Sequence, residues 1–173
     1  MSNEINIAVI GLGQIGSYLL NELNNKKKDI LNKTGKKINI VAVSAKNKNK
    51  KRSFKINKKI FYSNPLEIIK KKKVDILFEA IGLSDGISKK IVEIAIKNKI
   101  HVITPNKALI SKHGDYLSKL AEKNKVNLEF EASVGGGIPI LRTIKEGLAT
   151  NKISKVYGIL NGTSNYILSE MET

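Results

Sequence analysis

The 173-residue chain contains no cysteine and no tryptophan. Without cysteine there are no disulfides, thiolate metal sites or thiol nucleophiles, a composition that suits a cytoplasmic enzyme. Aromatic residues make up 5%, and arginine occurs only at Arg52 and Arg142. Nucleic-acid grooves recruit arginine forks and stacking rings, so this scarcity argues against a nucleic-acid partner. No apolar run approaches the roughly 18 residues that a membrane span needs. The opening MSNEINIAVIG has no cationic region ahead of an apolar one, so no secretory signal is expected there. There are three prolines and no Pro- or Ser-rich linker, so any domain boundary must be compact.

Basic residues, by contrast, are abundant. The net charge is +16, and residues 26–73 carry all of it. There, 17 lysines and Arg52 face only Asp29 and Glu67, while elsewhere 13 basic and 13 acidic residues cancel. A localised basic region can hold phosphate. Its lysines alternate with Asn and Ile, as they do throughout the chain, which fits a solvated face with a few lysines available to a nucleotide phosphate. A basic nucleic-acid-binding protein is the contrary reading. It would leave the glycine motif and the strand-end loops described below unexplained.

The apolar pattern alternates between short runs and helical spacing. INIAVI, KKINIVAVSA, VDILFEAIG, IHVIT and NLEFEASV read as strands. QIGSYLLNELNN reads as a helix with Ile15, Tyr18, Leu19 and Leu23 on one face. PLEIIKKKK, SKKIVEIAIKNK, GDYLSKLAEKNK and PILRTIKEGLA read as further helices, the first and last opened by proline. KVYGIL then reads as a strand and NYILSEMET as the start of an amphipathic helix without a stop signal. This βαβα order predicts an α/β fold, a Rossmann-like, doubly wound, mostly parallel sheet with helices on both faces. The glycines near residues 132–137 mark the expected boundary, dividing a nucleotide-binding domain (1–131) from the start of a second, α/β catalytic domain (132–173).

Gly11-Leu12-Gly13-Gln14-Ile15-Gly16 is a G-x-G-x-x-G that follows a strand and opens a helix. That is the setting in which the motif binds a dinucleotide. Gly11 permits the tight turn, Gly13 lets backbone approach a diphosphate, and Gly16 lets helix pack close on strand. The diphosphate would meet the N–H groups of the helix N-terminus. An NAD site places a carboxylate at the end of the second strand, on the ribose 2′-hydroxyl. Here the strand ends Val43-Ser44-Ala45-Lys46, with no acid before Glu67. Ser44, Lys46 and Arg52, with the lysines between, would attract a 2′-phosphate instead. NADP(H) is therefore the expected cofactor, with NAD(H) possible.

Ligands of such sheets sit at the carboxyl ends of the strands. Three segments fall there: Ile81 to Gly86, which includes Gly82; Thr104 to Lys107; and Ser133 to Pro139. Topology places Lys107 near the cofactor, unlike the surface lysines of the helices, although with one residue in six a lysine its position alone also fits an ordinary surface residue. The dense glycines of EASVGGGIP bring backbone near a ligand or turn carbonyls toward a cation, or else form a simple strand–turn–helix connection. NGTSN offers hydroxyls and N–H groups to a polar substrate, or a helix cap. His101 and His113 have no partner at metal or triad spacing and read as structural.

Together GLGQIG, TPNKALISKHG, EASVGGGIPI, LRTIKEGLA and GILNGTSNYIL, in this order, closely resemble the homoserine dehydrogenase family. The likeness runs from about Ile7 to the last residue, and SAKNKNKKRSF resembles the basic loop of many members. The resemblance implies an NAD(P)-dependent oxidoreductase of threonine and methionine biosynthesis, interconverting L-homoserine and L-aspartate 4-semialdehyde. It implies that Lys107 lies beside nicotinamide and substrate as the catalytic lysine, and that Gly162 and Thr163 lie on the substrate side. It also implies a monovalent cation, usually sodium, on the Glu131 carboxylate and the carbonyls of Val134, Gly136 and Ile138. The full-length form is expected to be a cytoplasmic homodimer. Family members continue beyond this length, and the later part carries a substrate-binding glutamate, an aspartate and a second lysine, none of which 173 residues can place. A non-catalytic NADP(H)-binding module, or a truncated remnant, is the alternative. The phosphorylating semialdehyde dehydrogenases need a cysteine nucleophile and are excluded.

Overall fold

Short runs of β-branched and apolar residues become the strands of one parallel sheet, and the helices between them cover both of its faces. The computed structural model describes residues 3–48, 56–158 and 162–172, the side chains of residues 162–164 excepted. Contacts divide the chain into two compact units, Met1–Phe130 and Glu131–Thr173.

In the first unit the strands are β1 (Glu4–Ile10), β2 (Lys37–Ser44), β3 (Phe61–Tyr62), β4 (Ile76–Glu79), β5 (His101–Ile103) and β6 (Leu128–Glu129). Their order in the sheet is β3-β2-β1-β4-β5-β6, with every pairing parallel. Connections on either side of β1 run in opposite directions, so right-handed crossovers place their helices on opposite faces. The register sets Ile10 beside both Ser44 and Glu79, which aligns the strand ends in one row.

Alternation along β1 divides the core in two. Ala8 and Ile10 point to one face, against α3 (Leu66–Lys71), α4 (Ile87–Lys97) and α5 (Lys107–Asn124), with Ile91, Ile96, Leu109 and Leu117 buried there. Ile7 and Val9 point to the other face, where Leu20 of α1 (Gln14–Asn25) joins Val43 and Phe78. A short α2 (Lys27–Thr34) follows α1 and ends on Gly35 in the left-handed conformation. Its lysine-rich sequence has no buried residue, so no apolar stripe announced it.

Several boundaries differ from the sequence reading, each for a local reason. The stripe that α1 buries runs through Gly16 and Leu20, while Ile15 and Tyr18 are 55% and 68% exposed. Gly16 must sit against the β1 turn, and that rotates Ile15 and Tyr18 outward. Helix α5 begins at Lys107 rather than Gly114, because the Asn106 side chain caps it by accepting from the Leu109 N–H at 3.1 Å. The NLEFEASV run pairs only over Leu128–Glu129 and then turns into a 3₁₀ segment, Glu131–Ser133.

In the second unit, α6 (Ile140–Arg142) passes into a π-type turn over Thr143–Gly147, where Leu148 N–H donates to the Thr143 carbonyl at 3.0 Å. The Thr143 hydroxyl also donates back to the Pro139 carbonyl at 2.7 Å, a bond that competes with regular helix. Residues 155–158 form no strand, because the described residues of this unit contain no strand to pair with them. Helix α7 (Gly162–Glu172) ends the described chain.

The side chain of Leu117 is fully buried between α5 and the sheet. Leu117→Ala is expected to lower unfolding stability by about 2–5 kcal/mol, measured by urea denaturation with an unchanged m-value.

Candidate functional site

The turn from β1 into α1 is built by contact between backbones. Gly11 has φ +93°, and its N–H donates to the Ser44 carbonyl at 2.8 Å. A Cβ on Gly11 would overlap the Ala80 carbonyl of the neighbouring strand end, and a Cβ on Gly16 would overlap the Gly11 carbonyl. Gly13 is different. It is the N-cap of α1 with φ −75°, and a Cβ there would meet nothing within 4 Å. No side chain caps α1. Its first-turn N–H groups, which a helix cannot satisfy internally, are therefore presented beside an open surface. Gln14 and Ile15 are exposed on this first turn, and Leu12 is buried beneath it, its carbonyl accepting from the Ser17 hydroxyl at 3.2 Å.

Next along the row of strand ends comes the segment after β4. It carries Gly82 and Gly86 at φ +87° and +64°, and Gly82 is exposed with no atom near a Cβ position. Beyond β5, Thr104 and Asn106 are buried and Lys107 is exposed. Thr104 gives its hydroxyl to Glu79 Oε2 at 2.6 Å, so its side chain is turned inward. On the other side of β1, Ser44 is 2% exposed, whereas Lys46 and Lys48 are exposed just beyond it. No carboxylate follows β2 before Glu67. Arg52 lies outside the described residues, as do the side chains of Gly162 and Thr163, whose backbone opens α7.

Two groupings were not anticipated from sequence. Glu79, at the end of β4, is wholly buried and bonded to residues of three segments. An acid closing the apolar run ILF was the available signal, since carboxylates are almost never fully buried unless paired. The second grouping is Asp85, which accepts from Lys112 at 2.7 Å and from Ser84 at 2.6 Å, and pairs with His113 Nε2 at 2.9 Å. The Lys112 hydrogen bond first, then those of Ser84 and His113, hold the Asp85 carboxyl well below the usual carboxylate range. His113 thus has a partner 28 residues away in sequence, which spacing could not reveal. His101 Nδ1 takes the Asn127 N–H at 3.0 Å, a structural bond at the sheet edge.

In the second unit both oxygens of Glu131 accept backbone N–H groups, from Leu141 at 3.0 Å and Arg142 at 2.8 Å. Gly135 and Gly136 follow with φ +71° and +66°. The Ile138 carbonyl accepts from Ile140 N–H at 2.8 Å. Among the described residues, no group of three or more His, Cys, Asp or Glu could hold a metal.

A parallel sheet in this strand order, with G-x-G-x-x-G at the switch beside its first strand, defines a Rossmann-type dinucleotide-binding unit. Comparison with known proteins narrows the class. The NAD-binding domain of homoserine dehydrogenase matches residues 11–131, and the homoserine dehydrogenase domain that follows it matches residues 139–173. The homoserine dehydrogenase of Neisseria gonorrhoeae is 40% identical over 167 residues, covering 96% of this chain and 38% of that protein. That of Bacillus subtilis is 36% identical, with the same coverage of both chains. The crystal structure of the Thiobacillus denitrificans homoserine dehydrogenase superposes with a TM-score of 0.83 at 36% identity, over 97% of this chain and 38% of that one. A Staphylococcus aureus homoserine dehydrogenase gives 0.78 at 38% identity, over 97% and 39%. The chain belongs to the homoserine dehydrogenase family and carries its NAD-binding domain. It spans 38% of the length of these curated relatives.

The contrast between Gly16 and Gly13 is directly measurable. Gly16→Ala is expected to cost about 1–3 kcal/mol or more of folding stability, since backbone must move to admit the methyl group. Gly13→Ala should cost at most about 1 kcal/mol, the loss of a favourable cap residue. Thermal and urea unfolding of the two variants compare them.

Proposed function

We propose that this chain supplies the cofactor domain and the opening of the catalytic domain of an NADP(H)-preferring homoserine dehydrogenase, interconverting L-homoserine and L-aspartate 4-semialdehyde in threonine and methionine biosynthesis. The observation that carries the reading is the open N-terminus of α1 at Gly13, framed by Gly11 and Gly16 at the switch point. The backbone N–H groups of residues 13–15 would hold the diphosphate there. Leu12, buried under the turn, fixes its shape. When bound, the nicotinamide would supply a hydride to the aldehyde carbon or accept one from the corresponding alcohol carbon. Lys107, first residue of α5 and exposed, would hold the reacting oxygen and handle its proton. Gly82 leaves space on the facing turn. Gly162 and Thr163 would contact substrate.

Two features support the choice of NADP(H). The row of strand ends offers Ser44, not a carboxylate, where a 2′-hydroxyl would be read. Lys46 and Lys48 are exposed immediately after it, and Arg52 extends the same basic run. With Ser44 side chain buried, the phosphate contacts would fall mainly to the basic residues.

The residues proposed for sodium fit a hard cation by donor type, since one carboxylate and three carbonyls are all oxygen. Glu131 and Ile138 already accept N–H bonds, and each oxygen keeps a second lone pair for a ligand. Sodium there would tie the Glu131 carboxylate to the glycine turn ahead of α6. A cytoplasmic homodimer is the proposed full-length form.

Calorimetric titration of the 173-residue protein with NADPH and with NADH tests the cofactor reading. Saturable binding is expected, tighter for NADPH by about tenfold, or 1.4 kcal/mol. Equal or tighter NADH binding would overturn the NADP(H) preference alone. A folded chain that binds neither would overturn the oxidoreductase reading. Gly13→Ala, folded as above, is expected to weaken the binding by at least about tenfold.

A further inference from the structure

Glu79 is a carboxylate with no exposure to solvent, at the end of β4. Burying it is expensive unless hydrogen bonds replace the lost water. Every partner found for it is a neutral donor. The Ile81 N–H reaches Oε1 at 2.8 Å, and the Ser88 hydroxyl reaches the same oxygen at 3.1 Å. The Thr104 hydroxyl reaches Oε2 at 2.6 Å, and the Asn106 amide lies 3.4 and 3.3 Å from the two oxygens.

The direction of these bonds is fixed by what else the donors do. The Thr104 oxygen accepts the Asn106 N–H at 3.1 Å, so its own proton is directed to Glu79. Asn106 Oδ1 accepts from Leu109 N–H at the start of α5, so its NH₂ must face Glu79 and the Leu83 carbonyl, the latter at 2.8 Å. A carboxylate, an acceptor at both oxygens, is the group that matches such a ring. The ring joins the turn after β4, which carries Gly82, to the cap of α5, whose first residue is Lys107. Both are segments assigned above to the cofactor and the reacting oxygen, yet Glu79 is sealed away from either.

We propose that Glu79 is a positioning residue, which holds the Gly82 turn and the Lys107 end of α5 in place for the cofactor. This rests on the cofactor reading of the preceding subsection. Glutamine at this position would put an NH₂ against a donor. Thr104 could accept from that NH₂ only by turning its own proton out of the ring, and the Asn106 NH₂, held in place by Leu83 and Leu109, would still face a donor, so the cap would loosen.

Glu79→Gln is tested in the 173-residue protein by residue-resolved amide hydrogen exchange and by NADPH titration. Ile91→Val, a core change in α4, is the control for lost stability alone. The amides of Ile81, Asn106 and Leu109 are expected to exchange at least about tenfold faster in Glu79→Gln than in the control, while Leu117 and Ala121 do not. NADPH binding should weaken about tenfold under conditions where both variants are folded. If Glu79→Gln does not fold, the isosteric Thr104→Val serves instead, and should free the Asn106 and Leu109 amides while sparing that of Ile81. Local exchange equal to the control would overturn the proposal, as would faster exchange with unchanged NADPH affinity. Should the unsubstituted chain bind no NADPH or NADH, the cofactor reading falls. The exchange pattern then still decides whether Glu79 holds the two segments.

Discussion

The site depends on one steric constraint, the direct contact of backbone with backbone where β1 turns into α1. Gly16 presses on the Gly11 carbonyl, and Gly11 presses on the Ala80 carbonyl, with no room for a Cβ at either point. That contact draws the first turn of α1 down onto the ends of β1 and β4. It also leaves Gly13 at the rim with free space around it, so a helix N-terminus faces outward at the point where the sheet's connections diverge. Side chains could not make this arrangement. Closeness of backbone is its cause.

The neighbouring strand ends are positioned by different physics. Beyond β4 and β5 the chain is held by a buried carboxylate and its ring of donors, which ties a glycine turn to a helix cap. Steric closeness thus fixes the first wall of the site and hydrogen bonding fixes the second. Beyond β2, exposed lysines follow a buried serine. Position along the row of strand ends gives each segment a distinct chemical character: open N–H groups, an exposed ammonium, and a cluster of positive charge.

The alternation of apolar runs made the sheet and its order of elements legible, because buried parallel strands and amphipathic helices differ in period. The glycine motif was legible as well, since its spacing reports a steric requirement. Other features had no such mark. Helix α2 buries nothing and so leaves no stripe. The start of α5 at Lys107 hung on the conformation of one asparagine. Residues 155–158 look like a strand by composition, but pairing is a property of neighbours. Apart from Ile81, the partners in the Glu79 ring and the Asp85–His113 pair lie 9 to 28 positions away, and only the folded chain brings them together. Glu131, which the resemblance assigns to a cation, accepts two helix N–H groups, from Leu141 and Arg142, and spacing gave no sign of either bond.

The most direct measurement is a crystal structure of this chain grown with NADPH. The expected result is a diphosphate on the backbone N–H groups at Gly13 to Ile15, with the 2′-phosphate among the basic residues after Ser44 and the nicotinamide ring beside Lys107. A nucleotide bound elsewhere, on the lysine-rich surface away from the strand ends, would contradict it.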